Sequence, residues 1–167
     1  MDTDVTFRAA TDADWDQIWP IFADVVRAGQ SYPFSPASTE TQARQLWMSD
    51  PGAKRVTYVA ERAGQIVATS YIKPNHVGLM SHIANAGWMI APEARGQGVG
   101  RRFGQWTLDQ AKTLGFTHMQ FNAVVSTNTA AVALWQSLGF EIVGTLPDAF
   151  DHAEHGLTAV HVMYKRL

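Results

Sequence analysis

The stretch that most constrains this chain is Met89-Ile90-Ala91-Pro92-Glu93-Ala94-Arg95-Gly96-Gln97-Gly98-Val99-Gly100-Arg101-Arg102, where an apolar run stops at a proline, passes glycines at alternate positions and enters helix-forming sequence. A strand must lead in and a helix must lead out. Glycine at 96, 98 and 100 removes the side chains that would hold a ligand away from the backbone. The first helical turn adds N–H groups without intrahelical partners and a dipole that favours negative charge. Arg95, Arg101 and Arg102 bring mobile positive charge. The stretch therefore reads as a cradle for an anionic group such as phosphate. A P-loop is excluded because no lysine follows the glycines, and a dinucleotide fingerprint is excluded because the spacing is Gly-x-Gly-x-Gly.

Around this centre the chain alternates strand and helix patterns. Val5 to Ala9 alternates as a strand, and Thr11-Asp12-Ala13-Asp14 then offers a helix cap with acid in the first turn. Trp15, Ile18, Trp19, Phe22, Val25 and Val26 follow at helical spacing up to Gly29. Gln30 to Ser38 reads as a loop, and a second helix opens at Thr39-x-x-Gln42 and runs to Asp50-Pro51. Val56 to Ala60 and Ile66 to Ile72 form a hairpin about Arg62-Ala63-Gly64, Lys73 to Leu79 a loop, and Ser81 to Ala91 the strand that enters the cradle. The helix after Gly98 ends at Gly115, a strand spans Met119 to Val125, and a helix runs from Asn128 to Gly139. Strands are expected at Glu141 to Leu146 and Thr158 to Tyr164, with a polar loop over Pro147 to Gly156 between them. The order βααβββαβαββ implies an α/β fold with a mixed central sheet of about seven strands and helices on both sides.

A length of 167 residues suits a single domain spanning 1–167, large enough for a substantial core. The absence of cysteine excludes disulfides, thiolate metal sites and a cysteine nucleophile. A formal net charge of −2 gives no general attraction to nucleic acid or an anionic membrane, the arginines near the cradle being a local exception. Met1-Asp2-Thr3-Asp4 is acidic and lacks the pattern of a secretory signal, and no apolar run approaches membrane-spanning length, so a cytoplasmic protein is expected.

Arg95-x-x-Gly98-x-Gly100 resembles the acyl-CoA signature Gln/Arg-x-x-Gly-x-Gly/Ala of the GCN5-related N-acetyltransferase (GNAT) superfamily. A second signature of that superfamily, Asn-x-x-Ala-x-x-x-Tyr-x-x-x-Gly-Phe, is matched in register by Asn128, Ala131, Gly139 and Phe140, with Trp135 at the tyrosine position. The resemblance covers nearly the whole chain and is densest from about 82 to 146. It implies a GNAT-like single-domain fold and acetyl-CoA as co-substrate. It also implies a cofactor site built from Met89, Ile90, Arg95, Gly96, Gln97, Gly98, Val99, Gly100, Arg101, Asn128, Ala131 and Trp135. The first helix–loop–helix would shape an acceptor pocket with Tyr32 and Phe34 in contact with substrate, and the strands near 87–91 and 121–125 would splay to admit the thioester. Dimers are common in the family, which leaves a homodimer open.

Direct transfer to an amine needs a neutral nucleophile, a destination for its proton and donors for the developing oxyanion. The family tyrosine that protonates the departing thiolate is Trp135 here, and an indole N–H is far too weak an acid; water, Ser126, Thr127 or no group at all remains for that task. His82 is the best titratable candidate for a base, with a structural role as the alternative. Asp148, Asp151, His152, Glu154 and His155 cluster acid and imidazole, but none has a recognised metal-ligand spacing, so no metal is expected and a solvated lid is. Asn85 and Asn122 are out of place in strands and point to a polar partner in the cleft. Their contexts look like those of fungal N-acetyltransferases acting on proline analogues, where such asparagines hold the acceptor's carboxylate. By that resemblance Asn85 and Asn122 serve catalysis and substrate binding, and the acceptor is a small-molecule amine, an amino acid or analogue. Cross-strand hydrogen bonds in a satisfied core are the alternative. Other readings are a protein N-terminal or amine-drug acetyltransferase, a non-catalytic acyl-CoA sensor, and a dinucleotide oxidoreductase.

Overall fold

The computed structural model describes residues 5–167, so the expectation drawn from Met1 to Asp4 lies outside the described residues. The strands are β1 (Val5–Ala9), β2 (Val56–Arg62), β3 (Gln65–Pro74), β4 (Ile83–Ile90), β5 (His118–Val125), β6 (Glu141–His152) and β7 (Gly156–Arg166). The helices are α1 (Trp15–Arg27), α2 (Glu40–Trp47), α3 (Val99–Thr113) and α4 (Thr129–Ser137). All strands join one seven-stranded sheet in the order β1-β2-β3-β4-β5-β7-β6. Every neighbouring pair is antiparallel except β4 and β5, so the sheet is mixed, as expected.

The period-two patterns divide the strands between two apolar layers. Ala86, Trp88 and Ile90 of β4 pack with Phe103 and Leu108 of α3 and with Trp135 and Leu138 of α4. Met89 of β4, Val59 of β2 and Tyr71 of β3 face the other side, where they meet Ile18 and Phe22 of α1 and Trp47 of α2. Helices thus cover both faces. Phe22, Trp47 and Phe103 are fully buried, and each contributes roughly 1.5–3 kcal/mol through burial.

The start of α1 is fixed by charge. The Thr11 N–H donates to Asp14 Oδ2 at 2.7 Å, and the Arg8 guanidinium donates to both Asp14 oxygens at 2.8 Å. Arg8 also reaches Glu61 at 2.8 Å, which ties β1, β2 and the helix entrance together. Its guanidinium holds the Asp14 carboxyl at about 2, below the ordinary carboxylate value.

Two expectations are corrected. Residues 147–156, read as a loop, are mostly strand: β6 and β7 form one long hairpin that turns at 153–155. The apolar alternation that marks a half-buried strand is missing because residues 141–149 of this edge strand are all exposed. A register shift between Leu146 and Phe150 accommodates Pro147 and the left-handed Asp148 (φ 51), and a second lies between Ile142 and Gly144. Strand β3 likewise continues through Lys73 and Pro74, which lie opposite Asn85 and Ala84.

Candidate active site

The site exists because two parallel strands part. Strands β4 and β5 pair only at Ile83 with His118 and Ala84 with Met119. Against β7, β5 shifts register between Phe121 and Val124, so a bulge bends it at Asn122-Ala123 just where it leaves β4. The expected splay is present. A cavity of about 910 Å³ opens along it and over the adjoining loops.

The backbone of β4 lines that split with polar groups. The Ala91 N–H and the Ile83 carbonyl are bonded toward β3, so odd-numbered β4 residues face β3. Strand alternation then turns the N–H and C=O groups of Ala86, Trp88 and Ile90 toward the gap. Two of these carbonyls are taken: Tyr32 Oη donates to Trp88 O at 2.7 Å, and Arg95 Nε donates to Ile90 O at 3.3 Å. The Trp88 and Ile90 N–H groups remain directed into the cavity.

At the far end of β4 the cradle has the geometry an anion requires. Gly96 (φ +71) and Gly98 (φ +77) are left-handed, a conformation L side chains rarely adopt, and nothing lies within 4 Å of an added Cβ at either. Glycine is therefore required by conformation and leaves the backbone open. Gly98 caps α3, and the Arg102 N–H closes the first turn on its carbonyl at 3.2 Å, so the N–H groups before it point out of the helix end. Of the residues expected at a cofactor site, Met89, Ile90, Arg95, Gly96, Gly100, Asn128, Ala131 and Trp135 line the cavity. Gln97, Gly98, Val99 and Arg101 stand behind it. Gln97 accepts from Arg62 at 2.6 Å, Arg101 donates to Ser137 at 2.7 Å, and Val99 is buried in the core. Asn128 caps α4, its Oδ1 accepting from the Ala131 N–H at 3.2 Å, which leaves its amide N–H groups for a ligand. Trp135 packs against Trp88 (4.5 Å) and Phe121 (4.9 Å) as an apolar floor.

The other end, toward the β4–β5 junction, is polar. Asn85 Nδ2 donates to Gln120 O across the split at 3.1 Å, and Tyr71 Oη donates to Asn85 Oδ1 at 3.3 Å. Asn122 and Asn75 exchange hydrogen bonds, Asn122 Nδ2 to Asn75 Oδ1 at 2.7 Å and Asn75 Nδ2 to Asn122 Oδ1 at 3.2 Å. Both asparagines thus have the cross-strand partners of the structural reading, yet each carboxamide nitrogen has a second hydrogen, and both line the cavity. Lys73 Nζ lies 5.8 Å from the Tyr71 ring. Burial pushes the Tyr71 phenol up to about 12 and raises that of Tyr32 further, so both remain protonated donors. Phe34 stacks on Tyr32 (5.5 Å) and Phe22 (5.7 Å), anchoring the loop over the cavity.

His82 is not brought to this place. It is exposed beyond the start of β4, its ring 6.1 Å from that of His118, and it does not line the cavity. The groups that sequence reasoning missed are Tyr71 and Lys73 on β3 and Asn75 just beyond it, while His152, Glu154 and His155, read as part of a solvated lid, line the cavity from the hairpin tip. Tyr71, Lys73 and Asn75 carry a period-two signal, obscured by Pro74; the tip is brought in by long-range packing, which its local sequence does not report. Among the described residues, no three His, Asp or Glu side chains come together as ligands for a metal ion.

Comparison with known proteins places this geometry. The profile of the Acetyltransferase (GNAT) family matches residues 15–140. N-acetyltransferase aca1 of Schizosaccharomyces pombe is 29% identical over 137 residues, 74% of this chain, and the chain spans 66% of the length of that relative. A GCN5-related N-acetyltransferase from Kribbella flavida superposes with a TM-score of 0.93 at 47% identity, over 98% of both chains. A GNAT superfamily phosphinothricin acetyltransferase from Sinorhizobium meliloti in complex with AcCoA shares the fold at 22% identity, with a TM-score of 0.86 over 98% of this chain and 88% of that one. A parted β4–β5 pair with a glycine cradle at one end, a family profile spanning three-quarters of the sequence and a near-superposable relative agree on one assignment: this chain belongs to the GNAT family of N-acetyltransferases.

Proposed function

We propose that this protein transfers the acetyl group of acetyl-CoA directly, in a ternary complex, to the amine of a small acceptor that carries a carboxylate, an amino acid or analogue. In this reading the chain is one catalytic domain over 1–167, cytoplasmic, with neither nucleic acid nor membrane as a partner. A single observation carries the acceptor assignment. At the polar end of the cavity β3, the residue after it, β4 and β5 present one cation and three carboxamides, Lys73, Asn75, Asn85 and Asn122, and no acidic group. Such a set suits a carboxylate, which accepts several charge-assisted hydrogen bonds.

The residues fit the co-substrate as well. The N–H groups leading into α3, with Arg95, suit the pyrophosphate, and the open edge of β4 suits the amides of the pantetheine arm, which would pair as an added strand. Asn128 supports the arm from α4, and Trp135 packs its end. Acetyl-CoA, when bound, supplies an activated acyl group and a thiolate leaving group. The Trp88 and Ile90 N–H groups are placed to donate to the oxygen on which negative charge develops. Tyr32, bonded to Trp88 O, holds that segment of backbone in position. Asn85, Asn122 and Lys73 fix the acceptor by its carboxylate, which leaves its nitrogen to approach the acyl carbon.

The test is thiol release from acetyl-CoA with a panel containing proline, azetidine-2-carboxylate and methionine sulfone. Saturable acetylation of one member by the purified chain is the expected result. Tight acetyl-CoA binding without turnover on any amine would overturn it and favour a non-catalytic sensor.

A further inference from the structure

The β3, β4 and β5 walls of the cavity hold no imidazole or carboxylate, and the hairpin tip holds two imidazoles and a carboxylate. We infer that His155 takes the proton of the acceptor's ammonium group and that His152 is its positioning residue, an inference that rests on the amine-acetylating function proposed above.

Packing brings the tip to the cavity. The Ala153 N–H donates to Gly29 O at 3.0 Å, and Gln30 Nε2 donates to Glu154 Oε1 at 2.7 Å, so the turn is docked on the end of α1 and the loop after it. An added Cβ at Gly29 (φ +63) would lie 3.0 Å from Ala153 Cβ, so the two segments are in close contact. His152, Glu154 and His155 all face the cavity from this docked turn.

The two histidines are not equivalent. His152 is buried, and its Nδ1 accepts from the Glu154 N–H at 3.1 Å. That bond assigns the proton of the neutral ring to Nε2, and protonating Nδ1 would break it. The bond therefore fixes the orientation of the His152 ring. His155 stacks on it, ring centroids 4.5 Å apart at 24°, and is exposed to the cavity mouth. Stacked on that fixed ring and open to the cavity, the His155 imidazole is placed to accept a proton from a ligand bound there. The other titratable groups facing the cavity nearby are Lys73 and Tyr71 of β3 and Tyr32; the end of α1 presents Val25 and Ala28, which do not titrate.

The step balances. The ammonium of the acceptor gives one proton to a ring nitrogen of His155, and the free amine forms a C–N bond to the acyl carbon. The C–S bond breaks, the electron pair leaves on the thiolate, and the second N–H proton passes to solvent or to that thiolate.

The experiment is the pH profile of kcat/KM for the best acceptor of the panel above, with wild type, His155→Gln and His152→Asn, and with coenzyme A binding measured calorimetrically as a control. His155→Gln is expected to lose about 10²-fold or more at neutral pH. Its deficit should shrink as pH rises past the acceptor's own ammonium pKa, while coenzyme A affinity is unchanged. Free imidazole should restore part of the activity to His155→Ala. His152→Asn, whose Oδ1 can still accept the Glu154 N–H, should retain most activity, whereas His152→Leu should move the acid limb of the profile. A His155→Gln rate within about threefold of wild type at every pH overturns the inference and leaves the function standing. A wild type inactive on every amine overturns both.

Discussion

Gly87 sits in β4 where three aromatic side chains converge, and replacing it with alanine tests how tightly the acceptor side of the cavity is packed. The added Cβ would lie 2.9 Å from Tyr71 Cε1, 3.1 Å from Tyr32 Oη and 3.3 Å from Trp47 Cη2. The backbone there is not left-handed, so the penalty is steric alone. None of the three rings can step aside freely. Tyr71 and Trp47 pack edge to face at 4.9 Å, the Trp47 indole N–H is bonded to Thr69 Oγ1 at 2.9 Å, and Tyr32 Oη is held on Trp88 O at 2.7 Å. Overpacking of this kind costs about 1–3 kcal/mol. For a chain of this size each kcal/mol shifts the melting temperature by roughly 2–4 °C, so a drop of about 4–8 °C is expected for a mid-range cost. Urea titration and calorimetry of Gly87→Ala, Tyr32→Phe and the double variant give the free energies. Removing the Tyr32 hydroxyl takes away one clash, so the double variant should be more stable than the sum of the single changes by at least about 0.5 kcal/mol. A Gly87→Ala change within about 0.5 kcal/mol of wild type, or strict additivity in the double variant, would refute the packing argument.

Other outcomes follow from single contacts. Asp14 has its folded pKa lowered from 3.8 to about 2, a contribution of roughly 2 kcal/mol that the 40% exposure of Arg8 reduces to about 1–2 kcal/mol. Because the folded value is depressed, this stability is present above the unfolded pKa and is lost as pH falls from about 4 to about 2. Asp14→Asn should therefore be less stable at pH 7 and approach wild type near pH 2 in urea titrations; an unchanged gap at low pH would contradict this. Tyr71→Phe removes the donor to Asn85 Oδ1 and should cost about 0.5–1.5 kcal/mol while raising the acceptor KM more than it lowers kcat. An unaltered KM would detach Tyr71 from the acceptor end.

Much of this architecture can be read from local pattern. Trp15, Ile18 and Phe22 at helical spacing mark α1, and the β-branched runs at 56–60 and 66–72 mark the β2–β3 hairpin. The cradle is legible because its requirement is backbone chemistry: Gly96 and Gly98 adopt the left-handed angles for which glycine is chosen. The end of β3 is obscured by Pro74, which signals a break unless an edge or a bulge accommodates it. The outer hairpin fails for a different reason. Strand β6 has an exposed run from Glu141 to Ala149 and therefore no hydrophobic period to detect. Its tip reaches the cavity only through contacts such as Gln30 with Glu154, 124 positions apart in sequence. His82 illustrates the converse. A titratable residue beside the right strand stands at its closed end, with the paired Ile83 and Ala84 between it and the split, and local sequence does not say where parallel pairing stops.

If one cavity holds acetyl-CoA at the cradle and the acceptor at the junction of β4 and β5, changes at its two ends have separable effects. This is tested most directly by measuring both Michaelis constants for Asn122→Ala and Asn128→Ser, the serine retaining the cap of α4. The two constants should separate: Asn122→Ala raises the acceptor KM by about tenfold with acetyl-CoA unaffected, and Asn128→Ser raises the acetyl-CoA KM with the acceptor unaffected, each the loss of roughly one hydrogen bond to a charged or amide group. Equal changes in both constants for both variants, or no change in either, would contradict this.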